Sequence, residues 1–285
     1  MAGAVLRPLS MGEILDVSFG MYRAQFVPLL LVSVATRIVP IIISVYLQSA
    51  GNRLVYLNFL IFGLTVVLGA VAVGASTFII SERYLGKTLP ASEAFRRASP
   101  FVLPLIVVGV LTWLVTVVAA VIIAVPVGIL AALGAVAGRS AALVMVPAGI
   151  IAAIVLAGFV VTGLALASPA LIIERLPGAI AAMGRSWNLT KGHRLKIFGA
   201  LLITFILLFL PVVALSGYAI ASGFNPATMS MEPSATVIMT VVIASLLQVL
   251  IYPLLYCVVT IAYYDLRVRK EAFDLEVLAA GLSRA

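Results

Sequence analysis

Charged residues are scarce in this sequence. They make up 10% of its 285 residues, whereas hydrophobic residues make up 64%. Soluble domains average about 25% charged and roughly 45–50% apolar residues, so the composition excludes an ordinary soluble globular protein. Several apolar runs exceed the roughly 20 residues that an α-helix needs to cross a bilayer. We therefore predict an all-α polytopic membrane protein.

Cysteine and histidine are each present only once, as Cys257 and His193. A single cysteine excludes an intrachain disulfide, and one cysteine with one histidine excludes the clustered ligands of a structural zinc site. The sequence also contains no Walker loop, no nucleophile elbow and no pair of catalytic carboxylates. We therefore expect a protein that is not an enzyme and that holds no metal and no cofactor.

Acidic residues are absent from the long apolar runs. These runs predict six transmembrane helices, at about 26–47, 54–80, 101–137, 141–173, 197–222 and 235–264. The third run, Phe101–Ala137, would be about 55 Å long as one straight helix, although the hydrocarbon core is only about 30 Å thick. Either this helix tilts and protrudes or it breaks near Pro126 and Gly128. We favour one span with a kink there.

The N-terminal residues predict a helix that lies at the membrane surface. Ser10 and Glu13 match a capping box, in which each side chain accepts a backbone N–H at the start of a helix. Pro28 favours a break before the first span. The alternative is that this helix runs straight into the first span.

Two kinds of polar segment recur along the chain. Three apolar runs end in similar junctions, which read FIISERYLG at 78–86, LIIERLPG at 171–178 and IAYYDLRVRK at 261–270. Three short segments that precede apolar runs are also alike: RPLSMGEIL at 7–15, KTLPASEAF at 87–95 and ERLPGAIAA at 174–182. The spacing predicts three repeats of an amphipathic surface helix plus a helical hairpin, in one membrane domain. The repeats lie at about 7–83, 87–175 and 176–267, and a polar helical tail follows at 268–285.

Each of the three junctions places an acid close to an arginine. An acid and a base at the membrane boundary can pair, so that neither is an isolated charge at low dielectric. There are two alternatives for the role of these charges. They fix the depth of the helix in the membrane, or they mark a proton or ion path. A helix C-terminus favours the arginine over the acid, so we expect arginines of the surface helices to bind the acids. The predicted junction ion pairs involve Glu82, Arg83, Glu174, Arg175, Asp265 and Arg267.

The distribution of basic residues predicts the orientation in the membrane. Of the 18 lysines and arginines, 15 lie in the N-terminal segment, the two later surface segments and the tail. The opposite loops carry only Arg53 and Arg139. Because cytoplasmic loops retain positive charge, both termini are expected in the cytoplasm.

Basic and aromatic residues of the surface segments are candidates for contact with anionic lipid headgroups or with a partner protein. Such contacts contribute about 1 kcal/mol per basic residue, and an amphipathic helix carrying a tryptophan suits the interface. The partners we expect are membrane lipids, a membrane protein or a second copy of the chain, and not nucleic acid. The candidates are Arg96, Arg97, Arg185, Trp187, Lys191, Arg194 and Lys196.

Arg37 is the one charged residue predicted inside a span. It lies 11 residues beyond Phe26, close to the middle of the first run. An arginine there costs at least about 2.5–3.5 kcal/mol, and such residues are functional candidates. The alternatives are a misplaced span boundary and snorkelling of the side chain towards the interface.

Three stretches resemble a known family. RPLSMGEILDVSFGMYRAQF, SPALIIERLPGAIAAMGRSWNLTKGHRLKIFG and YYDLRVRKEAFDLE, which begin at residues 7, 168 and 263, are similar to bacterial proteins of the glycerophosphoryl diester phosphodiesterase membrane domain family. Some members carry a soluble catalytic barrel after this domain, and the sequence has no counterpart of that barrel. The resemblance therefore implies a membrane domain in the bacterial inner membrane, without the enzyme activity and without catalytic residues.

We expect a non-enzymatic integral membrane module that binds lipid or a partner protein and supports a lipid or envelope process. The alternative is a transporter or channel for a small or amphiphilic solute. A polar cavity that reaches Arg37 would favour transport. A packed centre with a groove under the surface helices would favour binding of lipid or a partner.

Overall fold

The computed structural model describes residues 7–49, 55–137, 139–225, 230–231 and 234–273. Helices account for nearly all of these residues. They are α1 (Met11–Ala24), α2 (Phe26–Ser49), α3 (Val55–Tyr84), α4 (Ala91–Ala98), α5 (Val102–Ala137), α6 (Arg139–Leu164), α7 (Ala167–Ile173), α8 (Ala179–Thr190), α9 (Arg194–Gly223) and α10 (Ala235–Glu271). A 3₁₀ turn joins α4 to α5, and two-residue strands β1 (Phe224–Asn225) and β2 (Ser230–Met231) pair antiparallel between α9 and α10.

Within the described part of the chain, six helical stretches are long and apolar enough to cross a membrane. They are Phe26–Leu47, Tyr56–Tyr84, Ala91–Ile129, Pro147–Ile173, Arg194–Gly223 and Ala235–Glu271. Large apolar side chains such as Phe59, Phe62 and Trp113 are exposed on these helices, as expected of surfaces that contact lipid tails. The prediction of an all-α polytopic membrane protein is confirmed.

The third predicted span is a single helix. The α5 helix continues for 36 residues through Pro126 without interruption. The alternative in which this helix breaks near Pro126 and Gly128 is therefore wrong.

A short break separates α1 from the first span. Ser10 and Glu13 form the predicted capping box at the start of α1. Gln25, with φ −117° and ψ 26°, leaves the helical conformation before α2 begins at Phe26. The alternative of one continuous helix from α1 into the first span is therefore wrong.

The fourth predicted span is not continuous. It divides into α6 and α7, and Leu166 stands between them with φ −94° and ψ 5°. Pro169 lacks a backbone N–H and its ring would crowd the carbonyl one turn earlier, so an unbroken helix is disfavoured here. Ser186 of α8 accepts the Leu166 N–H at 3.1 Å and donates to the Gly163 carbonyl at 2.8 Å. The hydroxyl thereby satisfies backbone groups that the break leaves without helical partners.

The last helix is longer than its apolar run. The sequence places the end of the sixth span at Tyr264, but α10 continues to Glu271 and ends at Ala272, which has φ 51°. Burial of Tyr264, Asp265 and Leu266 against neighbouring helices extends the helix past the apolar run. The start of the predicted tail is therefore part of α10, and residues 274–285 lie outside the described residues.

The most deeply buried side chains lie where the junctions meet, which we call the charged end of the bundle. Tyr263 and Tyr264 of α10 are fully buried there, in a cluster with residues of α1, α7, α8 and α9. The Tyr264 ring stacks on Tyr84 of α3 at 4.7 Å between ring centroids, and its hydroxyl lies 2.6 Å from that of Ser81. The α10 helix also packs against α2 and α3. It therefore packs against six other helices, α1, α2, α3, α7, α8 and α9.

Candidate functional site

Glu174 lies at the centre of an ion-pair network at the charged end. Arg185 of α8 donates from Nε to both of its carboxylate oxygens at 2.9 Å. The Tyr263 hydroxyl donates to the same carboxylate at 2.5 Å. Arg185 also binds Glu271 at 2.5 Å, and Glu271 accepts from Arg267 at 3.1 Å. Hydrogen bonds to Glu271 and Glu174 raise the pKa of Arg185 above its usual value.

Asp265 lies at the centre of a second network, and its side chain is 1% exposed. It accepts the backbone N–H of Leu9 at 2.6 Å, Lys196 of α9 at 2.5 Å and Arg269 at 3.1 Å. Lys196 and Arg269 both donate to the Leu9 carbonyl as well. The segment before α1 is thereby bound to α9 and α10.

Glu82, the third junction acid, forms ion pairs that are more exposed than those of Glu174 and Asp265. Arg97 of α4 binds it at 2.9 Å, and Lys87 lies 4.0 Å away. Glu93 binds Arg96 at 2.7 Å and Arg97 at 2.9 Å. Exposed pairs of this kind contribute little to stability, because solvent and salt screen them.

The arginines next to the acids are not their partners, which corrects the predicted pairing. Among the described residues, Arg83 and Arg175 form no ion pair. Arg267 binds Glu271 and lies 4.0 Å from Glu174. Glu82 and Arg83 are neighbours on α3, where successive side chains do not face each other, and Arg175 lies beyond the end of α7 with φ 50°. The arginines of α4 and α8 bind Glu82 and Glu174 instead, as expected.

These networks reduce the set of candidates for lipid contact. Arg97, Arg185 and Lys196 are bound to acids of the same chain. Arg96 is 78% exposed but binds Glu93 through two nitrogens. Their charge is therefore largely balanced within the protein.

The other three candidates line a groove between α6, α8 and α9. The groove has a volume of about 830 Å³ and a mostly apolar lining. Its lining consists of Val155, Phe159, Thr162, Trp187, Asn188, Lys191, Gly192, Arg194, Leu195 and Phe198. The structure thus brings Trp187, Lys191 and Arg194 together at one site.

Two aromatic rings hold the Arg194 guanidinium in this groove. Its carbon lies 3.7 Å from the centroid of Trp187 and 4.1 Å from that of Phe159. The rings of Phe159 and Trp187 pack edge to face, at 5.8 Å between centroids. Arg194 makes no hydrogen bond to any described residue, and its Nε is buried. The site presents a positioned cation that no acid of the described chain neutralises.

Small residues and a capping contact fix the shape of the groove. A Cβ at Gly163 would come within 2.5 Å of the Trp187 ring, so only glycine lets the ring lie this close to α6. Gly192, with φ 84°, turns the chain sharply between α8 and α9. Lys270 donates to the carbonyls of Asn188 and Lys191 at 3.0 and 2.6 Å, where a cation is favoured by the C-terminus of α8.

Arg37 lies in a separate cavity between α2, α3 and α10. The guanidinium carbon is 3.7 Å from the centroid of Tyr252, and one nitrogen lies 3.4 Å from the Tyr256 hydroxyl. The cavity measures about 290 Å³ and is lined by Thr36, Arg37, Pro40, Ile41, Ser44, Thr65, Gly69, Ser245, Gln248 and Tyr252. The structure therefore contains both features that the sequence set as alternatives: a groove beside a surface helix and a polar cavity at Arg37.

Several residues of the two sites were missed by sequence reasoning. Phe159, Tyr252 and Tyr256 supply the aromatic contacts to Arg194 and Arg37. Tyr252 and Tyr256 are four residues apart, the spacing that places two side chains on one helix face. That spacing was a usable signal. No local pattern marks Phe159, because its role depends on how α6 packs against α8.

The described residues contain no group of three or more His, Cys, Asp or Glu side chains that could hold a metal ion.

Comparison with family profiles, with curated proteins and with solved structures finds no match to the chain. The six apolar helices decide the general class. The chain is a multi-pass integral membrane protein.

Proposed function

We propose that this protein is a membrane module that binds an anionic phospholipid in the groove between α6, α8 and α9. The phosphate contacts Arg194 and Lys191, and an acyl chain lies along Phe159, Leu195 and Phe198. The observation that carries the proposal is the Arg194 guanidinium, which two aromatic rings hold at an apolar groove with no acid partner among the described residues.

The location of the groove supports a lipid as its occupant. It lies beside α8 and the start of α9, at the charged end of the bundle, where a bilayer changes from acyl chains to headgroups. Leu195 is 84% exposed and Trp187 is 37% exposed, so the groove opens outwards rather than into the bundle. Tryptophan and arginine are well suited to this depth, because each has an apolar body and a polar tip.

The charge balance favours an anionic lipid over a zwitterionic one. Lys191 is exposed, and its side chain forms no ion pair with the described residues. An anionic phosphate would gain about 1 kcal/mol from each basic residue near the surface, and about 1.5–3 kcal/mol from a charged hydrogen bond to Arg194. The positive-inside rule assigns this face to the cytoplasmic leaflet, in keeping with a bacterial inner-membrane protein whose termini are cytoplasmic. The module has a binding role and not a catalytic one.

Native mass spectrometry of the protein with matched lipids tests this proposal. Phosphatidylglycerol and phosphatidylcholine with identical chains are added to wild type, to Arg194→Gln and to Arg96→Gln. We expect wild type to retain phosphatidylglycerol preferentially and Arg194→Gln to lose at least about tenfold in retention, which corresponds to about 1.4 kcal/mol. Arg96→Gln removes the same charge from an exposed position and should behave like wild type.

Equal retention by the two variants would refute the proposal. Loss of phosphatidylglycerol and phosphatidylcholine to the same extent would also refute it, because the arginine would then act on the shape of the groove and not on the phosphate. Leu195→Ser tests the acyl-chain contact in the same assay, and it should weaken binding of both lipids equally.

A further inference from the structure

The Arg37 cavity contains a cation with unusually few partners. A guanidinium has five N–H donors. Among the described residues, Arg37 makes one hydrogen bond, the long contact to Tyr256, and its Nε is buried without a partner. Stacking on Tyr252 favours the positive charge but uses none of the donors.

No acid is close enough to neutralise this charge from its own helix or from the adjacent ones. The sequence contains no Asp or Glu between Asp16 and Glu82, a stretch that includes all of α2 and nearly all of α3. On α10, Asp265 follows Tyr252 by 13 residues, which corresponds to about 20 Å along the helix axis. Asp265 is also bound to Lys196 and Arg269. The cavity therefore carries a net positive charge inside the membrane.

The rest of the lining is neutral and contains donors. Ser44, Thr65, Ser245 and Gln248 line the cavity, and their side chains make no hydrogen bonds to other described residues. Hydroxyl and amide groups can donate to an anion, and they add no negative charge that would repel it. Ionisable residues within transmembrane segments commonly mark the path or site of an ion or substrate.

The volume limits the size of the ligand. The cavity has a volume of about 290 Å³, whereas each molecule in liquid water occupies about 30 Å³. It therefore accommodates a small anion with several waters, but not the acyl chains of a lipid. We infer that the Arg37 cavity is a binding site for a small hydrated monoanion, such as a halide or a short carboxylate. This site is independent of the lipid groove, since the two share no residue.

Bromide is a suitable probe, and thermal unfolding in zwitterionic nanodiscs is a suitable readout. A ligand that binds only the folded state raises the unfolding midpoint, and its stabilisation grows with the logarithm of 1 + [L]/Kd. Bromide replaces gluconate, a much larger anion, at constant ionic strength. Five proteins are compared: wild type, Arg37→Gln, Arg37→Lys, Gln248→Leu and the control Arg96→Gln, which loses an exposed charge far from the cavity in sequence.

We expect bromide to stabilise wild type and the control but not Arg37→Gln. We also expect Arg37→Gln to unfold at a higher temperature than wild type in gluconate alone, because it no longer buries an unneutralised charge. Arg37→Lys should restore part of the bromide response. Gln248→Leu, which keeps the charge and removes a donor, should bind bromide at least about tenfold more weakly than wild type.

Three results would overturn the inference. One is the same bromide response in wild type and Arg37→Gln, which would identify a general salt effect. Another is an unfolding midpoint of wild type that does not change at any bromide concentration. The third is stabilisation that depends on Arg37 and appears only when phosphatidylglycerol is added, without bromide, since a lipid headgroup would then be the anion.

Discussion

Replacing Asp265 by asparagine should be among the most destabilising single changes that preserve shape in this protein. The carboxylate is 1% exposed and accepts bonds from Leu9, Lys196 and Arg269. Asparagine keeps an oxygen for the Leu9 N–H but removes the charge. Lys196, which is 17% exposed, would then have only the Leu9 carbonyl as its acceptor among the described residues.

The expected magnitude follows from the burial of the pair. Breaking a buried ion pair by removing one partner costs about 3–5 kcal/mol, because the other charge is left uncompensated. Lys196→Met should cost less, about 1.5–3 kcal/mol, because the carboxylate keeps Arg269 and the Leu9 N–H. Glu93→Gln breaks a network with exposed arginines, whose ion pairs the solvent screens, and it should cost least of the three. The expected order of destabilisation is therefore Asp265→Asn, then Lys196→Met, then Glu93→Gln.

Reversible unfolding in mixed micelles, with an increasing fraction of denaturing detergent, measures these differences. The double variant Asp265→Asn/Lys196→Met completes a thermodynamic cycle, and we expect a coupling energy of at least about 1 kcal/mol for residues in direct contact. If Asp265→Asn were no more destabilising than Glu93→Gln, burial of the charge would not be what makes this junction stable. Additive effects of the two substitutions would likewise contradict a direct ion pair.

Two further substitutions test the packing around the sites. Gly163→Ala would place a Cβ within 2.5 Å of the Trp187 ring and displace it. We expect the tryptophan fluorescence to shift to longer wavelength and lipid retention to fall. Gly109→Ala, at a position with open space around it, should leave both measurements unchanged. Tyr263→Phe removes the hydroxyl that donates to Glu174 and should lower the free energy of unfolding by about 1.5–3 kcal/mol. A cost below about 0.5 kcal/mol would mean that Arg185 alone satisfies that carboxylate.

The spans and caps were largely predictable from the sequence, for local reasons. Long apolar runs are the direct signature of transmembrane helices, and the capping box of Ser10 and Glu13 depends on residues three positions apart. The break between α6 and α7 was missed, although Pro169 was a visible signal. The position of the break depends on Ser186 of α8, which forms hydrogen bonds with the backbone of Gly163 and Leu166. The extension of α10 was missed for a similar reason, since burial and not apolar character keeps Asp265 in the helix.

The contacts within the candidate sites could be predicted only in part. An acid at a helix C-terminus needs a partner, which indicated the arginines of α4 and α8 for Glu82 and Glu174. The sequence offered no means of ranking seven basic and aromatic candidates, because the ranking depends on which of them the acids bind. Once Arg96, Arg97, Arg185 and Lys196 are paired, Lys191 and Arg194 are the two basic candidates that the described chain leaves without an acid. That conclusion requires three-dimensional neighbours.

The bond between Leu9 and Asp265 has a consequence for biosynthesis. These residues are 256 positions apart, and α1 precedes the first span whereas Asp265 lies near the end of the sixth. A ribosome delivers the chain from its N-terminus, so α1 emerges long before the residue that binds its leading segment. Until α10 has been made and inserted, the Leu9 amide lacks its acceptor Asp265, and the Leu9 carbonyl lacks one of its two donors, Arg269. Completion of the sixth span is thus the event that completes the attachment of α1, because only α10 supplies the acceptor of the Leu9 amide.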